Sequence, residues 1–188
     1  LAWGIKLEIM ANSKKEKKEL VVIGAGPGGY AAAFRAADLG IKTTLIDPEA
    51  NPGGVCLYRG CIPSKALLHV AKVKKEATEL SNFGLSFDEP EIDVKKIAKW
   101  KDGVVKKLTG GLGQLSKARK VEFIQGKAFF KDEKTLEIEE NSGESYELEF
   151  ENAIIATGST PTELPNIEVD HKLIWNSKDA LDLKEIPK

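Results

Sequence analysis

Six residues, Gly24-Ala-Gly26-Pro-Gly28-Gly29, constrain what this chain can fold into more than any other feature. They follow the apolar run Leu20 to Ile23, which reads as a buried strand, and precede the alanine-rich stretch Tyr30 to Leu39, which predicts a helix closed by Gly40. Lys42 to Asp47 predicts a second strand, so the segment forms a βαβ unit with parallel strands. The G-x-G-x-x-G spacing has separate physical demands. Gly24 permits a tight turn out of the strand, Gly26 lets the backbone approach a pyrophosphate, and Gly29 lets the helix pack closely on the sheet. The helix start then aims free N–H groups and a positive dipole end at phosphate. Asp47 stands 23 residues after Gly24, where a carboxylate accepts hydrogen bonds from a ribose diol and repels a ribose 2′-phosphate. A glycine turn beside a surface aspartate is the alternative; the flanking strand and helix in register favour nucleotide binding.

Two cysteines, Cys56 and Cys61, are the second feature, with four residues between them. As a structural staple the pair would do little, since so short a loop removes roughly 2 kcal/mol of chain entropy. Pro63 places a helix start at or just after Cys61, a field that favours thiolate. Redox chemistry is the natural use. A four-ligand zinc site would need both His69 and His171 from distant places, and two unpaired thiols are the remaining alternative.

The rest of the chain divides by period. Glu49 to Ile62 reads as a loop. Ala66, Val70, Val73, Ala77 and Leu80 recur at helical steps and predict one buried face, broken by Phe83 to Pro90. A second helix is expected from about Ile92 to Ala118, with Ile97, Val104, Leu108, Leu112 and Leu115 along one side and a bend or break at Gly110, Gly111 and Gly113. From Val121 the period becomes two: Leu136 and Ile138 alternate with Glu137 and Glu139, and Tyr146, Leu148 and Phe150 with Glu147 and Glu149, around a turn at Asn141-Ser-Gly143. This predicts a small antiparallel meander, followed by a buried strand at Ala153 to Ala156. The fold class is α/β: a Rossmann-like domain with a parallel sheet, helices and a β-meander. It is expected over residues 20–160, with residues 161–188 a proline-punctuated connection.

Composition adds exclusions. The 188 residues are 41% hydrophobic and 30% charged with a net charge of −1, which suits a globular protein without a general pull toward nucleic acid or anionic membrane. No apolar run reaches the roughly 20 residues of a membrane span. Met10 reads as the natural start, residues 1–9 as a leader or appended segment, and Ser13 to Glu19 as solvated and mobile. With no secretion signal and only two cysteines, the expected compartment is the cytoplasm.

The stretch Gly53-Gly-Val-Cys56-x4-Cys61-Ile-Pro-Ser-Lys65-Ala-Leu-Leu-His69 resembles the redox-active segment of the flavin disulfide reductases, the pyridine nucleotide-disulfide oxidoreductase family. Within it the details resemble the dihydrolipoyl dehydrogenases best: glutathione reductases usually carry lysine where Ser64 stands, and mercuric reductases threonine where Val55 stands. Leu108-Thr-Gly-Gly-Leu112, the meander and Ala153-Ile-Ile-Ala-Thr-Gly-Ser159 also match. Tyr58 and Arg59 replace the commoner Asn-Val, which bears on access to the disulfide and leaves its spacing intact. The resemblance implies FAD as cofactor, its pyrophosphate cradled by Gly24, Gly26 and Gly29 with Pro27 and Gly28 alongside. It implies Asp47, with Pro48, at the adenosine ribose, where the family often has glutamate. Gly53, Gly54, Val55 and Cys56 would continue the contact. Cys56 would exchange with lipoamide, and Cys61 would face the flavin as the charge-transfer thiolate. Lys65 would lie near the flavin, Gly126 or its neighbour at adenine, and Ala156-Thr157-Gly158-Ser159 would form a second FAD-side turn. His69 and His171 would be structural.

The family continues past such a segment into an NAD-binding domain, a later strand of the flavin domain, and a dimerisation domain that supplies a His–Glu pair across the interface. No second glycine fingerprint follows Ser159 here. The expectation is a fragment whose parent, an enzyme of cell redox homeostasis, oxidises dihydrolipoamide with NAD as a homodimer. The parent would serve lipoamide-bearing proteins of 2-oxoacid dehydrogenase or glycine cleavage complexes. The segment alone would be inactive, weakened in FAD affinity, and left with exposed apolar surface that drives association. The alternatives are a glutathione- or mercuric-reductase-like fragment, or a non-catalytic nucleotide-binding module.

Overall fold

The computed structural model describes residues 16–186. The expected start at Met10, the leader over residues 1–9 and the solvated residues 13–15 lie outside the described residues. The chain divides into two compact units: residues up to Pro52 with Leu112–Gly158, and Gly53–Gly111 with the residues from Ser159 onward.

The first unit contains β1 (Glu16–Ile23), α1 (Pro27–Asp38), β2 (Thr43–Asp47), β3 (Glu122–Phe130), β4 (Thr135–Glu140) and β5 (Ser145–Ile155). These five strands of the described residues close into a barrel in the order β1-β2-β3-β4-β5. β1 runs parallel to β2 and β5, and β2 parallel to β3, while β3, β4 and β5 are antiparallel neighbours. The expected parallel sheet and antiparallel meander are thus one object, because two strands serve both. Glu122–Gln125 pair with β2 and Gly126–Phe130 with β4; Ser145–Glu149 pair with β4 and Leu148–Ile155 with β1.

Burial follows the two periods. Val21, Ile23, Ile46, Ile124, Leu136, Ile138, Leu148 and Phe150 fill the barrel interior. Leu20, Val22 and Leu45 point the other way, onto Ala33 and Ala36 of α1. Strands covered on both faces read as continuous apolar runs, and β4, covered on one, alternates Leu136 and Ile138 with exposed Glu137 and Glu139. The Asn141–Gly143 turn forms as expected, with Gly143 at φ +94 and its N–H on the Glu140 carbonyl.

The second unit holds α2 (Gly54–Arg59), α3 (Cys61–Glu79), a 3-10 turn at Leu80–Phe83 and α5 (Ser177–Asp182); α4 (Val94–Ala118) has residues in both units. Asp93 starts α4, its carboxylate accepting from the Lys96 N–H at 3.0 Å.

Several expectations are corrected. β1 begins at Glu16, so the end of the stretch read as mobile is laddered to Leu148–Phe150 of β5. The loop read over 49–62 contains α2, a helix too short to show a period, with Leu57 its buried residue. α4 runs unbroken through Gly110, Gly111 and Gly113. Thr109 donates back to the Val105 carbonyl, and Gly113 serves close packing: a Cβ there would stand 2.1 Å from the Asn51 Oδ1. The buried positions of α4 are Lys101, Thr109, Gly113 and Ser116, whereas Leu108 and Leu115 are exposed. On α3, Ala66 is buried but Val73 is half exposed. Leu67, Val70 and Ala71 line an open, mainly apolar cleft of about 450 Å³ together with Ile92, Ile97 and Leu183. Ala153–Ile155 extends β5, yet Ile154 and Ile155 are exposed. The β4 ladder ends at Glu149, and beyond it β5 is laddered on the β1 side.

Candidate functional site

In the first unit the chain leaves β1 at Ile23 and turns at Gly24, whose φ of +95 lies in the left-handed region. Any larger residue would be strained there, and its Cβ would stand 2.3 Å from the Ala156 carbonyl oxygen at the end of β5. Gly29 is tighter still: a Cβ would lie 1.7 Å from the Gly24 carbonyl oxygen. The glycine packs the first turn of α1 against its own loop and against Ala156. Gly26 is the extended residue before α1, and its carbonyl accepts the Tyr30 N–H at 2.9 Å. Pro27 opens the helix. Around Gly28 nothing lies within 4 Å of where a Cβ would stand.

The start of α1 has no side-chain cap and no acidic residue in its first turn. Its leading N–H groups and dipole are therefore left for an anion. Asp47 is buried at the end of β2. Its Oδ2 accepts the Ala25 N–H at 2.7 Å and its Oδ1 accepts the Glu49 N–H at 2.9 Å. Each oxygen keeps one further acceptor direction, which suits a ribose hydroxyl. The structure thus brings Gly24, Gly29, Asp47, Pro48, Ala156 and Thr157 to one end of the barrel. Gly158 follows at φ +73 with open space around it. Gly126 stands where β3 changes partner; a Cβ there would be 2.5 Å from the Glu139 carbonyl oxygen, so that glycine is demanded by strand packing.

In the second unit Gly53 precedes α2, and Gly54 follows at φ +57. Gly53 fits closely, a Cβ there lying 3.0 Å from Leu57 and 3.1 Å from Thr109. Val55 is exposed, Cys56 is half buried, and Leu57 anchors the turn. Cys61 is the first residue of α3, with Pro63 fully buried in that first turn. The Ser64 hydroxyl donates to the Cys61 carbonyl at 3.1 Å. Both cysteines are free thiols. A hydrogen bond to Cys61 pushes the Cys56 thiol above its ordinary value; burial adds to the rise, and the Lys65 charge works against it. Two thiols in mutual hydrogen-bond reach on adjoining helices are placed for reversible oxidation to a disulfide. Lys65 and Ser159 are exposed.

The histidines stand apart from these features. His69 is on α3 with its ring 6.5 Å from that of Trp100. His171 contacts the Asp179 carboxylate at 2.8 Å, and Asp179 belongs to the Asn176 capping box of α5. That helix lies in the tail read as a connection; Asn176 and Asp179 at N-cap and N3 were its available signal. Sequence reasoning also missed Ala25, which acts through its backbone N–H and so leaves no residue signature.

The pattern of the family described as "Pyridine nucleotide-disulphide oxidoreductase" matches residues 18–188. The chain belongs to this family. Relatives within this oxidoreductase family carry the name "Dihydrolipoyl dehydrogenase". One from Buchnera aphidicola is 53% identical over 175 residues, covering 93% of this chain. Others from Haemophilus influenzae and Bacillus subtilis are 51% and 47% identical over 94% and 90% of the chain. The chain spans 37%, 37% and 36% of the lengths of these three relatives.

Proposed function

We propose that this chain is the FAD-binding and disulfide-bearing part of an enzyme that oxidises dihydrolipoamide with NAD. The single observation that carries the reading is the thiol pair. Cys56 on α2 and Cys61 at the start of α3 stand close enough for Cys61 to raise the Cys56 thiol, within a sequence about half identical to proteins named dihydrolipoyl dehydrogenase. Those names favour lipoamide over glutathione or mercuric ion as the partner of the pair.

The residues fit the cofactor. The uncapped start of α1 and the open space at Gly28 receive a pyrophosphate, and Asp47 accepts from the adenosine ribose. When bound, FAD supplies a two-electron acceptor that hands its electrons on to NAD. The chain's own chemistry is thiol–disulfide exchange. In the oxidised pair, a dihydrolipoamide thiolate attacks Cys56, the Cys56–Cys61 bond breaks, and the electron pair leaves on Cys61. The second lipoamide thiol then displaces Cys56, closing the lipoamide disulfide and leaving two protein thiols. Two electrons and two protons have passed from substrate to protein. Lys65 provides positive charge near the thiols and works against the rise at Cys56.

The reading extends to the whole protein: a cytoplasmic homodimer serving lipoyl-bearing proteins of 2-oxoacid dehydrogenase or glycine cleavage complexes. The test is spectroscopic. The chain is incubated with FAD, freed of excess by gel filtration, and titrated anaerobically with dihydrolipoamide. A retained flavin band that changes on titration, and no longer changes in Cys56→Ser or Cys61→Ser, is expected. A colourless chain that FAD cannot restore would refute the reading and leave a nucleotide-free module.

A further inference from the structure

The carbonyl of Pro48 is held by two side chains. Asn141 Nδ2 donates to it at 2.8 Å and Gln125 Nε2 at 3.3 Å. These two residues are joined by the Asn141 N–H on the Gln125 carbonyl at 2.9 Å. Gln125 lies beside Asp47 in the parallel β2–β3 register, and Asn141 opens the β4–β5 turn. The meander therefore reaches across the barrel end and grips the residue next to the buried carboxylate.

That grip has a consequence for Asp47. The turn from Asp47 to Glu49 is closed by the Glu49 N–H on Oδ1, while Oδ2 accepts the Ala25 N–H from the glycine loop. The carboxylate is thereby held between the loop and its own turn, with one acceptor direction left on each oxygen. If Pro48 were released, the turn could relax, the carboxylate would rotate, and a ribose hydroxyl would meet no fixed acceptor. We infer that Asn141 and Gln125 are positioning residues for the ribose end of the nucleotide site, setting its selectivity for the 2′-hydroxyl through Pro48 and Asp47. The inference rests on the nucleotide-binding reading above.

The test measures selectivity, which a purely structural role would leave unchanged. The full chain is titrated calorimetrically with ADP and with 2′-deoxy-ADP. A hydrogen bond from the 2′-hydroxyl to a fixed carboxylate predicts about tenfold preference for ADP. Asn141→Asp keeps the size and the backbone N–H but removes the side-chain donor, and Gln125→Glu does the same at its position. Asn141→Ala is measured beside them as an uncharged check. In each variant the preference should fall toward one, mostly through weaker binding of ADP. Variants that keep the wild-type ratio, whether affinity is unchanged or both nucleotides weaken equally, overturn the inference. A wild type that binds both nucleotides equally also overturns it and leaves nucleotide binding standing. A wild type that binds neither overturns both.

Discussion

Replacing Gly29 by alanine tests whether the glycine loop is a packing device as well as the proposed phosphate cradle. The added Cβ would stand 1.7 Å from the Gly24 carbonyl oxygen, where real contacts essentially never fall below 3.0 Å. The obstacle is backbone, so the first turn of α1 must move away from its loop. Overpacking of this kind costs about 1–3 kcal/mol, and a rigid backbone neighbour argues for the upper end. Alanine recovers about 1 kcal/mol through its better helix propensity. The net loss is about 2 kcal/mol, which shifts a urea midpoint by about 1 M for a slope near 2 kcal/mol per molar. Urea unfolding followed by circular dichroism measures it, and nucleotide affinity should fall too, since on the proposed function the displaced turn carries the N–H groups that meet phosphate. Gly28→Ala is the control: its Cβ meets nothing within 4 Å, so stability should hold or rise slightly and nucleotide binding persist. A Gly29→Ala chain as stable as wild type to within about 0.5 kcal/mol would refute the packing argument.

Other consequences are equally direct. Leu136 has no exposed surface inside the barrel, and Leu136→Ala should cost about 2–5 kcal/mol in denaturant unfolding. Cys56 is raised chiefly by its hydrogen bond to Cys61 and lowered by the Lys65 charge. Cys61→Ala should therefore bring its titration back toward the ordinary thiol value, and Lys65→Met should push it further up, read from the pH dependence of alkylation. Because the fold holds the Cys56 proton more tightly than the unfolded chain does, the associated stability is fully present below the ordinary thiol value. It is lost as pH rises through the raised one. Asn176→Ala removes the capping box of α5 and should cost that helix about 1 kcal/mol, seen as faster amide exchange over Ser177–Asp182. Asp179 is held below its ordinary value first by His171, so acidification through that lowered value should release the same helix, which amide exchange against pH would register.

Local patterns made much of this molecule legible. A glycine loop between an apolar run and an alanine-rich stretch could be read because each residue answers a demand of its immediate neighbours. The same holds for the alternation in β4 and for Asp47 in register with the loop. The thiol pair was legible from spacing and from Pro63, although α2 was too short to show a period. What failed were statements about faces. Leu108 and Leu115 repeat at helical spacing yet are exposed, while Thr109 and Ser116 are buried, because a period tells that a helix has two sides and not which one meets a partner. No break forms at Gly110–Gly113 for a related reason: weak propensity is overridden where close packing against Asn51 favours a glycine.

The amino-acid order alone determined the class of fold, the glycine loop between strand and helix, and the cysteine pair at a helix start, since each shows in residues close together along the chain. Tertiary structure alone decided that sheet and meander close into one barrel through shared β3 and β5, and that the Ala25 N–H seizes Asp47. It also decided that Gln125 and Asn141 converge on Pro48. Those contacts join backbone groups and side chains far apart in the chain. Backbone N–H and C=O groups are the same at every non-proline residue, so their partners become visible only once the strands are in register.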